Sequence, residues 1–114
     1  MKNFVEVGQE LQAGMAKLGE EEPAAMQAFG ALMGATVGTD GALSVKVKEL
    51  IALAIAISVR CDGCIAHHVR AVIEAGATRE ELIEVIGVTQ LMGGGPATVY
   101  GIEAMQAWDQ FQKA

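Results

Sequence analysis

Apolar residues along this chain recur at threes and fours, and no stretch alternates with the period of a strand. Phe4, Val7, Leu11, Met15 and Leu18 form one stripe over Lys2–Leu18, which predicts an amphipathic helix ended by Gly19. The acidic run Glu20, Glu21 and Glu22 leads into Pro23, a favourable first helical residue with carboxylates beside a helix N-terminus. The run is expected to be a charged helix start, not a docking patch for a basic partner. A second helix, Pro23 to about Val37, groups Met26, Phe29 and Met33, expected as ordinary core in preference to a methionine-lined pocket. After a turn at Gly38–Gly41, Ser44 caps a third helix reaching Val59, and a fourth runs from Asp62 to Ala75 with Gly76 as its terminator. Thr78 and Glu81 make a T-x-x-E capping box for a fifth, with Leu82, Val85, Ile86 and Met92 as its core side. Gly93, Gly94 and Gly95 lack the lysine and hydroxyl residue of a phosphate loop and predict a tight interhelical turn. Pro96 then starts a sixth helix whose broad apolar face carries Val99, Ile102, Met105, Trp108 and Phe111. The fold class is therefore all-α, about six helices in a single domain over residues 1–114.

Chemistry concentrates in one window, Glu49 to His68, which reads ELIALAIAISVRCDGCIAHH. It holds both cysteines, Cys61 and Cys64, as a C-x-x-C, and both histidines, His67 and His68. A free thiol with a pKa of about 8.5 supplies only a few per cent of thiolate at neutral pH, so thiol chemistry needs a helix N-terminus or a base nearby. Asp62 and Gly63 put the C-x-x-C at a helix start, where unpaired N–H groups favour a negative sulfur, and Cys64, deeper in the first turn, is expected to gain most. His68, four residues after Cys64, shares its helix face and lies within reach of its proton. Glu49 would stand roughly 18 Å from Cys61 along one straight helix. A turn near Arg60 is therefore required, and folding the fourth helix back on the third brings Glu49 level with His68, where a carboxylate orients the imidazole.

The spacing E-x11-C-x-x-C-x3-H resembles the active-site signature of the alkylhydroperoxidase D-like proteins of the carboxymuconolactone decarboxylase superfamily. Downstream, GATREELIEV (Gly76–Val85) and GGGPA (Gly93–Ala97) look like that family's run of helix, loop and helix, so the resemblance spans Leu43 to about Ala107. Some members carry a histidine just before the second cysteine, where this chain has Gly63. The resemblance implies a single-unit helical domain with a central hairpin carrying the C-x-x-C. It also implies a thiol-dependent peroxidase or disulfide reductase in which Cys64 attacks a hydroperoxide, Cys61 resolves the sulfenic acid, His68 is the base and Glu49 stands behind it. No flavin or nicotinamide site is legible, so the reductant is expected to be a partner dithiol, a lipoyl group or a thioredoxin-like protein. His67 is expected behind the site or at an interface. Arg60 is expected to be a surface charge near a helix end, with thiol activation or anion steering as the alternative, and Lys46 and Lys48 to be a solvated face.

Composition narrows the partners. The net charge is −6 with no basic run, which disfavours nucleic acid and anionic membranes. The N-terminus has no apolar signal core, and the most apolar stretch, Leu50–Val59, is half of a membrane span, so a soluble cytoplasmic protein is expected. Two other functional classes compete. Decarboxylase chemistry on a small lactone occurs in the superfamily, but such members typically lack the C-x-x-C. A zinc site of Cys61, Cys64, His68 and Glu49 would crowd three ligands into one short segment. Inert buried thiols are the blandest alternative. Finally, 52% hydrophobic residues in 114 is more apolar surface than one small core can hide. The chain is therefore expected to be a homo-oligomer, and by the resemblance a trimer or a hexamer of trimers, docking through its first and last helices.

Overall fold

The computed structural model describes residues 1–114 and contains only helices: α1 (Phe4–Glu21), α2 (Pro23–Thr36), α3 (Val45–Ser58), α4 (Asp62–Glu74) and α5 (Arg79–Lys113). Gly94, at φ 65° and ψ −140°, breaks α5 into two halves, 79–93 and 95–113. The halves fold back on each other. Arg79 Nε reaches Asp109 Oδ1 at 3.0 Å, the Gln90 amide donates to the Thr98 hydroxyl at 3.1 Å, and Ile86 packs on Gly101. Counted separately, the halves supply the six helices that the periodicity predicts, and the glycine run is the interhelical turn.

Caps set most boundaries. The Asn3 side chain accepts from the Glu6 N–H, Ser44 from Val47, and Thr78 and Glu81 form the reciprocal capping box. Gly19 does not end α1, which continues to Glu21; the stop comes from Pro23, which forces Glu22 out of helical geometry to φ −135° and ψ 65°.

The core lies between α3, α4 and both halves of α5, with Leu53, Ile57, Ile65, Val69, Val72 and Leu82 fully buried and Phe4 of α1 closing one end. Phe4 N–H donates to Gln110 Oε1 and Gln110 donates back to the Lys2 carbonyl, which ties the first helix to the last. Lys2 also pairs with Glu103 and Asp62, and these hydrogen bonds push its amine up to about 12.

Three core expectations need correction. In the return half of α5 the buried positions are Ala97, Gly101, Ala104, Ala107 and Trp108, whereas Val99 and Ile102 are exposed. Small residues win because the two halves approach so closely that a Cβ on Gly101 would meet Ile86 Cγ2 at 2.5 Å. Met92 is exposed beside the glycine turn. Of the stripe on α1 only Phe4 is buried, and α2 buries nothing at all, its cohesion coming chiefly from α1. No helix is long and apolar enough to cross a membrane.

Candidate active site

The sequence between α3 and α4 folds into the turn that the site requires. The Cys61 N–H donates to the Ala56 carbonyl at 3.1 Å and the Arg60 N–H to the Ile57 carbonyl at 3.2 Å, the paired bonds of a Schellman close. Arg60 occupies the left-handed position of that close, at φ 58°, where the equivalent turn after α4 uses Gly76 at φ 86°. The chain reverses within these few residues, and α4 returns antiparallel to α3.

Cys61 is the N-cap of α4. Its Sγ accepts from the Cys64 N–H at 3.2 Å, and the two cysteines are joined by a disulfide across a Cα–Cα distance of 5.2 Å. The backbone donor at the helix start is thus aimed at Cys61, and not at Cys64 as the register alone suggests. Cys64 has a different neighbour, since His68 lies one turn later on the same face.

The fold-back places Glu49, in the second turn of α3, against His68. Nδ1 and Oε2 are 2.6 Å apart, although nineteen residues separate them in sequence. Glu49 is only 5% exposed and His68 is half-buried. An ionised carboxylate only accepts, so Nδ1 carries the ring proton and Nε2 keeps the lone pair. His67 stands edge-on to His68, with ring centroids 4.8 Å apart. Burial, and then the neighbouring His68, lower the pKa of His67 and keep its ring neutral near pH 7.

Both sulfurs and both histidines line a cleft of about 410 Å³, within the range of small-molecule sites. Its far wall is Leu11 and Met15 of α1 with Phe29, Leu32, Met33 and Val37 at the C-terminal part of α2. No lysine, arginine, aspartate or glutamate lines it. His67, Leu11 and Met15 also border a second cavity of about 600 Å³ between α1, α4 and the end of α5, where Gln9, Gln12, Arg70 and Phe111 contribute.

The structure therefore brings Glu49, Cys61, Cys64 and His68 together, with His67 beside them. The remaining candidates serve the scaffold. Lys46 pairs with Glu81 at 2.9 Å, Lys48 donates to the Thr39 carbonyl at 2.7 Å, and Arg60 is exposed without an ion pair. The thiols are bonded to each other and the carboxylate to His68, and no three metal-binding side chains converge on one point. The apolar wall was missed from sequence: Phe29 and Met33 were expected in the core. One signal pointed to them, for Pro23–Val37 carries no charged residue and yet has apolar positions enough for a wide face.

The carboxymuconolactone decarboxylase family profile matches residues 23–107. An uncharacterised protein of Cupriavidus necator is 44% identical over 92 residues, which are 81% of this chain and 80% of the relative. A further one, described as protein 4 in the cox locus of Paracoccus denitrificans, is 37% identical over 68% of this chain and 70% of its own. Among solved structures, an apo carboxymuconolactone decarboxylase family protein from Legionella pneumophila superposes with a TM-score of 0.91 at 41% identity, covering 95% of this chain and 96% of the other. A Thermotoga maritima protein gives 0.81 at 28% identity, over 99% and 96%. By its profile, its relatives and its fold, the chain belongs to the carboxymuconolactone decarboxylase family, within the alkylhydroperoxidase D-like/carboxymuconolactone decarboxylase superfamily.

Proposed function

We propose that the protein is a thiol peroxidase that reduces hydroperoxides with electrons from a partner dithiol. The observation that carries this reading is the Glu49–His68 pair, set one helical turn from Cys64 beside a disulfide that lines an open cleft. In the reduced protein, His68 Nε2 takes the Cys64 proton, and the thiolate attacks the terminal peroxide oxygen. The S–O bond forms as the O–O bond breaks, the imidazolium returns its proton to the departing alkoxide, and Cys64 is left as a sulfenic acid. Glu49 stabilises the imidazolium while that proton is held. The Cys61 thiol then attacks the Cys64 sulfur, forming the disulfide and releasing water. A lipoyl group or thioredoxin-like dithiol restores both thiols by exchange, itself becoming a disulfide.

The working form is a homo-oligomer, a trimer or a hexamer built from trimers. The isolated chain exposes 6741 Å², against about 6,000 Å² for a folded monomer of 11.9 kDa. Large apolar side chains left exposed include Val47, Ile51 and Ile55, four residues apart on α3, Val59 at its C-cap, and Val88, Leu91 and Met92 on the first half of α5. Closed cyclic packing satisfies such patches without open growth. Sedimentation at micromolar concentration is expected to give three or six times 11.9 kDa; the monomer mass would reject the assembly.

The test of the chemistry uses single-cysteine variants. Cys64→Ser is expected to abolish peroxide consumption, and Cys61→Ser to accumulate one sulfenic acid per chain, trapped by a dimedone-type reagent. Peroxide-dependent sulfenylation of Cys61 in Cys64→Ser would reverse the order of the thiols. Failure of the wild type to oxidise with any hydroperoxide would remove the function itself.

A further inference from the structure

Asp62, which follows Cys61 directly, creates a conflict at the start of α4. A carboxylate in the first turn favours the helix, because it meets unpaired N–H groups at the positive end of the dipole. The same field favours a thiolate there, and an anion beside Cys61 opposes a second anion on either sulfur. Uncompensated, Asp62 would raise both thiol pKa values. Lys2, distant in sequence, answers that charge. Its Nζ lies 3.1 Å from each carboxylate oxygen of Asp62 and 2.9 Å from Glu103 Oε1 on the second half of α5, with the Tyr100 ring centroid at 5.1 Å. The lysine backbone is fixed as well, since Gln110 donates to its carbonyl and Asn3 caps α1 immediately after it. Glu103 Oε2 is shielded from solvent and has no partner, so this carboxylate relies on Lys2 for compensation.

We infer that Lys2 is a positioning residue of the thiol site: by holding Asp62 and cancelling its charge, it lets the α4 N-terminus and His68 stabilise a thiolate on the C-x-x-C. The consequence for turnover rests on the peroxidase reading above, whereas thiol ionisation is measurable with no peroxide present. No other cation is arranged to do this. Arg60 is exposed without an ion pair, His67 is held neutral near pH 7 by burial and by His68, and His68 itself is bound to Glu49. From α1 and α2 only apolar side chains and the Thr36 hydroxyl border the cleft beside the sulfurs, so neither helix brings a charge there. Lys2 and its two carboxylates make one cation and two anions. Removing Lys2 leaves two anions uncompensated, removing the Asp62 charge leaves a neutral pair, and removing both leaves one anion. The thiols should follow that order. Each unit charge in so exposed a cluster is expected to move a thiol midpoint by about half a pH unit.

The experiment titrates the thiols through alkylation. The full chain, reduced and freed of reductant, is treated with iodoacetamide from pH 5 to pH 10, and the first adduct is followed by intact mass. The midpoint of the rate profile is compared and not the rate itself, because a more basic thiolate is also the better nucleophile. Lys2→Met is expected to raise the midpoint by about half a unit and Asp62→Asn to lower it by as much. Lys2→Arg keeps the charge and should match the wild type, and the double variant Lys2→Met with Asp62→Asn should return to it. A merely structural lysine predicts no such return. Unmoved midpoints in Lys2→Met would overturn the inference, and so would a double variant that stays with Lys2→Met. Should Lys2→Met lose helical circular dichroism, Asp62→Asn decides alone, and an unchanged midpoint there overturns the inference. The same proteins are then given hydrogen peroxide. Midpoints in the expected order with no peroxide consumed by any variant, the wild type included, refute the peroxidase reading and leave the role of Lys2 standing; peroxide turnover with midpoints unmoved refutes the role of Lys2 alone.

Discussion

Glu49 and His68 meet at 2.6 Å across two antiparallel helices, and the contact fixes which ring nitrogen is free to act as a base. Glu49 is buried and His68 half-buried, so solvent screens this pair less than it screens a pair on the surface. Glu49→Gln keeps the size of the side chain and removes the charge. It is expected to slow peroxide-driven disulfide formation about 10²-fold at pH 7, and His68→Gln to slow it at least as much. At pH 9 the thiol ionises unaided and both losses should shrink. Quenched-flow thiol counting across that range provides the check, and equal losses at both pH values would assign the pair to positioning alone.

His67 carries a second pH dependence, this one in stability. Its pKa in the folded protein is lowered by burial and by His68, with a smaller push from Arg70, while Glu49 and Glu74 oppose the shift. The unfolded chain therefore binds the proton more readily, and stability contributed by neutral His67 is present above about pH 6.5 and is lost as the pH falls from there through the folded pKa. Thermal midpoints of the wild type are expected to drop between pH 7 and pH 5 more than those of His67→Gln. Parallel curves for the two proteins would remove His67 as the cause.

The hairpin of α3 and α4 was legible from residues alone because chemistry and geometry constrain each other there. Glu49 is useless to His68 unless the chain turns near Arg60, and the turn lies where the spacing requires it. Caps and terminators were legible for the same local reasons: Ser44, the Thr78–Glu81 box and Gly76 each satisfy backbone groups within a few residues. What was not legible is which apolar face meets what. Val99 and Ile102 look more core-like than Ala97, Gly101 and Ala104, but the approach of the α5 halves admits only small side chains. Phe29 and Met33 have the spacing of a core stripe, and nothing local tells a stripe that packs from one that lines a cleft. The thiol donor was misplaced by one turn because capping depends on side-chain rotamer as well as register.

Arg60 adopts the left-handed conformation at a position where glycine is the ordinary solution, and its side chain is exposed without an ion pair. The strain for a residue with a Cβ is about 1–2 kcal/mol, offset in part by the greater unfolded freedom of glycine. Arg60→Gly is therefore expected to stabilise the fold by about 0.5–1 kcal/mol, raising the thermal midpoint by roughly 2–5 °C. Turnover of a neutral hydroperoxide should be unaffected. Loss of activity with Arg60→Gly, the midpoint having risen, would show that the guanidinium contributes to the site after all.

Gly87 and Gly101 sit in opposite halves of α5 and respond oppositely to the same change. Gly87 is exposed and helical, and nothing lies within 4 Å of the place an added methyl would take, so Gly87→Ala gains only from reduced backbone freedom in the unfolded chain. A stabilisation of about 0.5–1 kcal/mol is expected. Gly101 is buried, and its added methyl would meet Ile86 Cγ2 at 2.5 Å. A β-branched side chain cannot swing that methyl away without leaving its preferred rotamer. The overlap must instead separate the two halves of α5, at a cost of about 1–3 kcal/mol that outweighs the helix-propensity gain. Urea unfolding of the two single variants should thus move in opposite directions. Shortening the partner isolates the cause: in an Ile86→Ala background Gly101→Ala is expected to lose its destabilising effect, and a double-mutant cycle with no coupling between the two positions would mean that the halves of α5 are held apart by something other than this contact.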